Sequence, residues 1–159
     1  MKSIFRILPY WLLLISGSNE ASTLHVPGAL FKNLSGIPAD VSESAGCYFE
    51  VQNAGFTLPA DATVFSIEVS TSNLTSSDVN VNVFFSRHVG VDFPQSVLSE
   101  SITVSPGYHT NVLPVQTGNG HISTDEFTVL SVWPSDDQVG ICGLKIHYLD
   151  DLIYAGSFD

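Results

Sequence analysis

Three sets of side chains in this sequence could do chemistry: the histidines His25, His88, His109, His121 and His147, sixteen acids, and two cysteines, Cys47 and Cys142. A catalytic or metal-binding histidine needs a partner, and on a strand that partner stands at i+2, where alternate side chains share a face. No two of these histidines are so spaced. They read as single turn or surface residues. Lys145 and His147 share the outer side of one strand, an ordinary solvated pairing. The sequence holds no Gly-x-Ser-x-Gly elbow, no His-Glu-x-x-His, no Cys-x-x-Cys and no phosphate loop. No catalytic or cofactor-binding residue is assigned on these grounds.

The acids and aromatics offer other chemistry. Asp125-Glu126 and Asp136-Asp137 flank one strand, and Asp150-Asp151 follows the last. Calcium takes six to eight oxygens, several from loop carboxylates. The loops leave room for structural calcium, although no Asp-x-Asp-x-Asp-Gly run is present, and no other cofactor is implied. A glycosidase needs two carboxylates facing each other across a cleft, and an acidic sandwich can supply such a pair by chance. Tyr48, Phe84, Tyr108 and Tyr154 fall outside the core by alternation or loop position, so they could form a sugar platform. Filling the core or covering an edge is their competing role. Asn33-Leu34-Ser35 and Asn73-Leu74-Thr75 fit the N-glycosylation pattern, which matters only in a eukaryotic source.

Five Lys and Arg against sixteen acids give a net charge of -11. Such a surface repels phosphates and anionic lipid heads, which argues against nucleic-acid binding. Two of those cations, Lys2 and Arg6, precede the apolar run Ile7–Ile15 and the small residues Ser16, Gly17 and Ser18. This is the three-part pattern of a secretory signal, with cleavage expected after Ser18. The run is too short to span a bilayer, so no membrane span is expected after cleavage. A retained anchor is the alternative. Without Lys2 and Arg6 the charge becomes -13, sixteen acids against three cations.

The cysteines agree with export. Cys47, Phe49 and Val51 alternate with Tyr48, Glu50 and Gln52. Cys142, Leu144, Ile146 and Tyr148 alternate with Gly143, Lys145 and His147. Both cysteines thus fall on core-facing sides, and an even count in an exported chain suggests a disulfide. Closing the loop of about 94 residues between them contributes roughly 4–5 kcal/mol in the chain-entropy model. Two buried free thiols are the alternative.

These residues must be carried by strands. Ala62 to Thr71 sets Phe65, Ile67 and Val69 on one face. Asp78 to Arg87 alternates Val79, Val81, Val83 and Phe85 with Asn80, Asn82 and Phe84. Ser96 to Ser105, His109 to Val115, Phe127 to Trp133 and Val139 to Tyr148 complete the set, each bounded by turn residues. Short alternating strands with regular turns argue an antiparallel sandwich or barrel. The expected organisation is a signal over 1–18, an irregular lead-in over 19–46 with one short extended piece near Leu30 and Phe31, a β-sandwich over 47–149 and a tail over 150–159.

The order of motifs resembles a loosely defined group of bacterial exported domains, mostly unassigned in function. Gly46-Cys47-Tyr48 opens the first core strand, Leu58 to Val64 supplies a Leu-Pro turn before a strand, Asp78 to Phe85 alternates, and Gly143 to Tyr148 closes. The resemblance covers roughly residues 26–148. That group usually shows Gly where Ala60 or Asp61 stands. The ending Leu152 to Asp159 is similar to apolar-aromatic-acidic endings on some exported proteins of Gram-negative bacteria. The resemblance implies fold and compartment and no catalytic residue.

The reading is an all-β chain forming a single antiparallel β-sandwich, jelly-roll-like or immunoglobulin-like, with one disulfide, secreted or periplasmic. Its expected function is a non-catalytic interaction or structural module for an unknown protein or glycan, self-association included. A carbohydrate-binding domain and a small secreted enzyme are the alternatives. Protein collected outside the cytoplasm should lack about the first 18 residues by intact mass; Met1 still attached in that fraction would refute the signal.

Overall fold

The computed structural model describes residues 21–30, 46–49, 53–59, 61–90 and 94–150. Nine strands are present there: β1 Ala21–Pro27, β2 Asn53–Phe56, β3 Ala62–Asn73, β4 Val79–Val89, β5 Gln95–Val104, β6 Gly107–Pro114, β7 His121–Ile122, β8 Glu126–Pro134 and β9 Val139–Asp150. All pairings are antiparallel. One sheet, A, runs β1-β9-β3-β6 with β7 added beside β3; the other, B, runs β2-β8-β4-β5. Among the described residues no helix is long and apolar enough to cross a membrane.

The pairs β4/β5, β3/β6, β2/β8 and β1/β9 are nested, as in one long hairpin. Rolling that hairpin up creates the pairs β9/β3 and β8/β4 and brings two sheets face to face. This winding is a jelly roll. An immunoglobulin winding, the other sequence-based expectation, orders its strands differently.

Alternation explains most of the core. Val79, Val81, Val83 and Phe85 of β4 are buried, and Asn80, Asn82 and Phe84 face outward. Leu130 and Val132 of β8, Ile67 and Val69 of β3, and Ile141 and Ile146 of β9 meet them from the other strands. Phe56 stacks on Phe85, ring centres 6.0 Å apart. β-branched side chains suit this role because they pack well on a pleated surface.

Several expectations are corrected. The lead-in is not irregular throughout: Ala21–Pro27 forms β1 at the edge of sheet A, followed by a 3-10 turn at Gly28–Leu30. Phe31 lies outside the described residues. Cys47 and Tyr48 do not begin a core strand; Tyr48 forms an isolated bridge to Ile141. There Tyr48 N–H donates to the Ile141 carbonyl at 2.9 Å and Ile141 N–H returns the bond at 2.8 Å. The bridge continues the sheet edge where β1 turns away. At that corner a Cβ on Gly28 would lie 2.5 Å from the Ile141 carbonyl oxygen and 2.6 Å from the Tyr48 ring, so only glycine fits.

Phase is lost at two bulges between β3 and β9. Phe65 has no partner in β9, so it points outward and is 41% exposed, while Val64 and Ile67 on either side point in. Cys142 has no partner in β3, and Gly143 beside it takes φ 152°. The extra residue switches the inward set from Val139 and Ile141 to Leu144 and Ile146. The disulfide joins Cys142, at this bulge, to buried Cys47. On β6 Val112 is exposed and Leu113 is buried. Asp61 adopts φ 59° in the turn closed by the Ala62 N–H to Pro59 carbonyl bond, a conformation usually left to glycine.

Two buried polar side chains behave oppositely. Asn73 Nδ2 donates to the carbonyls of Ser77 and Val104, both at 2.9 Å, and its Oδ1 accepts from Thr75 N–H and Thr75 Oγ1. The Thr71 hydroxyl is buried with no hydrogen-bond partner among the described residues. An unpaired buried hydroxyl costs more than a methyl of the same shape. Thr71→Val should therefore stabilise the domain by about 1 kcal/mol, and Asn73→Ala should destabilise it by on the order of 3 kcal/mol. Denaturant midpoints at constant slope check both; a destabilising Thr71→Val would mean the hydroxyl is satisfied after all.

Candidate functional site

Outward residues of sheet B follow from register. Asn80, Asn82, Phe84, Ser86 and His88 stand on β4. Facing them are Phe127, Val129, Ser131 and Trp133 on β8, and Ser96, Ser99, Ser101 and Thr103 on β5. None of these is Asp, Glu, Lys or Arg. Glu100, Glu126 and Arg87 of the same strands have the opposite parity, and Glu126 pairs with Arg87 at 3.7 Å. Arg87 also donates to Gln95 Oε1 from Nε and Nη2 and to the His121 carbonyl, tying β4, β5 and β7 together. In a chain of net charge -11, the outer face of sheet B carries no Asp, Glu, Lys or Arg among the described residues.

The aromatics on that face come in two pairs. Phe84 meets Trp133 edge to face with ring centres 5.8 Å apart. His88 stacks on Phe127 at 4.8 Å. Phe84, Phe127 and Trp133 are 37%, 43% and 42% exposed, so each offers part of a ring to solvent. Trp133 and Phe127 lie six residues apart on β8, about 20 Å at the rise of a strand. Between and beside them stand hydroxyl and amide side chains. Asn80 Oδ1 accepts from Thr103 Oγ1 at 3.1 Å, and Ser86 Oγ lies 3.0 Å from His88 Nε2, so part of this polar set is pre-ordered.

The outer face of sheet A is different. Thr23 Oγ1 lies 3.0 Å from His147 Nδ1, His147 Nε2 lies 2.9 Å from Glu68 Oε1, and Lys145 Nζ lies 3.0 Å from Glu68 Oε2. The row crosses β1, β9 and β3. A hydroxyl, an imidazole and a carboxylate in line are the parts of a nucleophilic triad. Here, however, the carboxylate is held by Lys145 as well, and the hydroxyl sits on an exposed sheet face rather than in a cleft. The arrangement therefore acts as a cross-strand tie. Hydrogen bonds from Lys145 first, and then from His147, hold the Glu68 carboxyl below the usual glutamate range.

The residues singled out by sequence scatter over this frame. Of the four aromatics, Phe84 joins the sheet B face, Tyr108 is exposed on β6 of sheet A, Tyr48 is half-buried against the core, and Tyr154 lies outside the described residues. The acid pairs do not gather: Glu126 bonds Ser123 N–H and Arg87 at one end of β8, and Asp136 Oδ1 accepts from Gln138 N–H at the other. Among the described residues no three His, Cys, Asp or Glu side chains converge as metal ligands would. Asn73 uses both amide hydrogens inside the fold; Asn33 lies outside the described residues. Trp133, Phe127 and His88 join Phe84 on this face, and the outward parity of β4 and β8 is the sequence signal that carries them.

Neither family models nor curated proteins match the chain. Solved structures do. The carbohydrate binding module of a glycoside hydrolase family 9 enzyme (Cel9A) from Ruminococcus flavefaciens FD-1 is similar, with a TM-score of 0.50 and 11% identity. That match covers 80% of this chain and 98% of that one. The likeness is one of fold. CBM35 of Abf62 from Cellvibrio japonicus aligns at a TM-score of 0.46 and 7% identity, over 79% of this chain and 92% of that one.

A lowered carboxyl value means Glu68 stabilises the folded state above the ordinary glutamate range, near pH 4.3. The contribution is lost as pH falls below that value and through the lowered one. The stability difference between the wild type and Glu68→Gln should therefore shrink between about pH 5 and pH 3. Chemical denaturation at several pH values measures it; a difference unchanged down to the acid limit would contradict the tie.

Proposed function

We propose that this protein is a non-catalytic, exported glycan-binding module whose ligand lies along the outer face of sheet B. The observation that carries the reading is the strip, without Asp, Glu, Lys or Arg among the described residues, that sets Trp133, Phe84, Phe127 and His88 among Asn and Ser side chains. Sugar rings present flat C–H faces and many hydroxyls. They match exposed aromatic faces bordered by neutral donors and acceptors, and they need no countercharge. The separation along β8, about 20 Å, suits several linked sugars better than one. Fold alone does not determine function; the jelly roll shared with a carbohydrate binding module is consistent with the reading, which rests on the face. The disulfide, rare in the cytosol, supports a site of action outside it.

Trp133→Ala and Phe84→Ala should each weaken binding to a neutral polysaccharide by about tenfold or more, as loss of a central aromatic anchor does. Both side chains are partly exposed, so neither change should unfold the domain. Affinity electrophoresis against a panel of soluble neutral polysaccharides, with melting temperatures as the control, checks this. Failure of the wild type to bind any of them, or equal retardation of the variants, would refute the proposal.

A further inference from the structure

The bulge at Cys142 and Gly143 has a second effect, on the opposite side of the molecule. Beside it a groove of about 420 Å³ opens between β1, β9, β3 and β6, with His25, Pro27, Ser70, Tyr108, Gly143 and Lys145 among its lining residues. Two rows of the sheet build it. His25, Lys145 and Glu68 are neighbours in one row, and Pro27, Gly143 and Ser70 in the next. The position that would send a side chain outward from the middle of the second row is glycine, held at φ 152° by the bulge. The floor is therefore bare backbone.

The chemistry of the lining is one-sided. Lys145 offers its ammonium, His25 a ring nitrogen, and Ser70 a hydroxyl that is already paired with Thr110 Oγ1 at 3.0 Å. Among the described residues no carboxylate lines the groove. Glu68, the neighbour of Lys145 in the first row, is shared between Lys145 and His147. Lys145 and Arg87 are the Lys and Arg side chains among the described residues, and Arg87 is engaged elsewhere. An acidic chain thus places at one groove an imidazole and a half-exposed ammonium that is ion-paired with Glu68 at 3.0 Å. Tyr108, 63% exposed, stands at its border, and the Pro27 ring forms part of the wall.

We propose that this groove is a second binding site, separate from the sheet B face, for a single sugar ring bearing an anionic group, carboxylate or sulfate. The ring stacks on Tyr108 while Lys145 and His25 hold the anion. Anion contact at a partly exposed lysine is charge-assisted and screened by salt. A ring with no anion lacks the partner that the lining is built to meet.

The test is a calorimetric or NMR titration of the full domain with methyl glucuronide, glucose 6-sulfate, methyl glucoside, acetate and inorganic sulfate. The charged sugars should bind at least about tenfold more tightly than the glucoside, equal to about 1.4 kcal/mol. They should also outbind the bare anions and weaken as salt rises. Lys145→Gln and Tyr108→Ala should each reduce that affinity several-fold, with circular dichroism confirming that both variants remain folded, while Trp133→Ala leaves it intact. The tighter of the two charged sugars identifies the anion. No binding, equal binding of the glucoside, equal binding of the bare anions, or insensitivity to both groove variants overturns the proposal. Loss in Trp133→Ala alone would move the site to sheet B and overturns it as well. Polysaccharide retention through sheet B is read separately and can succeed or fail on its own.

Discussion

The pairing of β9 with β3 is the contact on which the rest of this molecule depends. Nested pairs such as β4/β5 and β3/β6 would form a flat ribbon by themselves. Only when β9 lies against β3, and β8 against β4, does the ribbon close into two facing sheets with Ile67, Ile141, Ile146, Phe85 and Leu130 between them. These contacts join residues far apart in sequence, so the chain entropy lost in forming them is large. The disulfide acts at this point. It fixes Cys47 to β9 at the bulge, 95 residues away in sequence, and narrows the unfolded ensemble that the roll-up must search.

How much of this could be read from sequence depended on whether the evidence was local. β4 was legible because four inward residues and three outward ones alternate without interruption. Phe65 was not, because a bulge is a property of two strands together. Alternation from Ile67 backward places Phe65 inside, and only the unmatched register with β9 turns it out. β1 escaped notice for another reason. Ala21–Pro27 has two strongly apolar residues, Leu24 and Val26, and as an edge strand it buries only part of one face. The two sheets' orders, and the choice of jelly roll, lay beyond the sequence for the same reason of range.

The candidate site was legible in parts and not as a whole. Phe84 stood out as an aromatic on the polar side of a strand. Trp133 and Phe127 occupy the same side of β8, but their meeting with Phe84 and His88 depends on the register of β8 against β4. Tyr108 was picked by the same rule as Phe84, yet the winding places it on the other sheet. The two outer faces consequently differ in kind. One gathers aromatics and neutral amides, the other a row of hydrogen-bonded hydroxyl, imidazole, carboxylate and ammonium groups. Both lie on regular strands, so their side chains are held by a rigid ladder rather than by loops.

The burial of Asn73 has a consequence for how this chain can be made. Asn73-Leu74-Thr75 is an acceptor sequence that, in the folded protein, is sealed: its amide hydrogens are spent on Ser77 and Val104, and its oxygen on Thr75. The glycosylating machinery of a eukaryotic secretory pathway meets the chain before it folds, when that seal does not exist. A glycan attached at that moment would replace an amide hydrogen the turn between β3 and β4 requires, and would have to occupy space inside the sandwich. Such a host would therefore divide the product into a folded, unmodified fraction and a modified one that cannot close the turn leading from one sheet to the other. A bacterial periplasm imposes no such division.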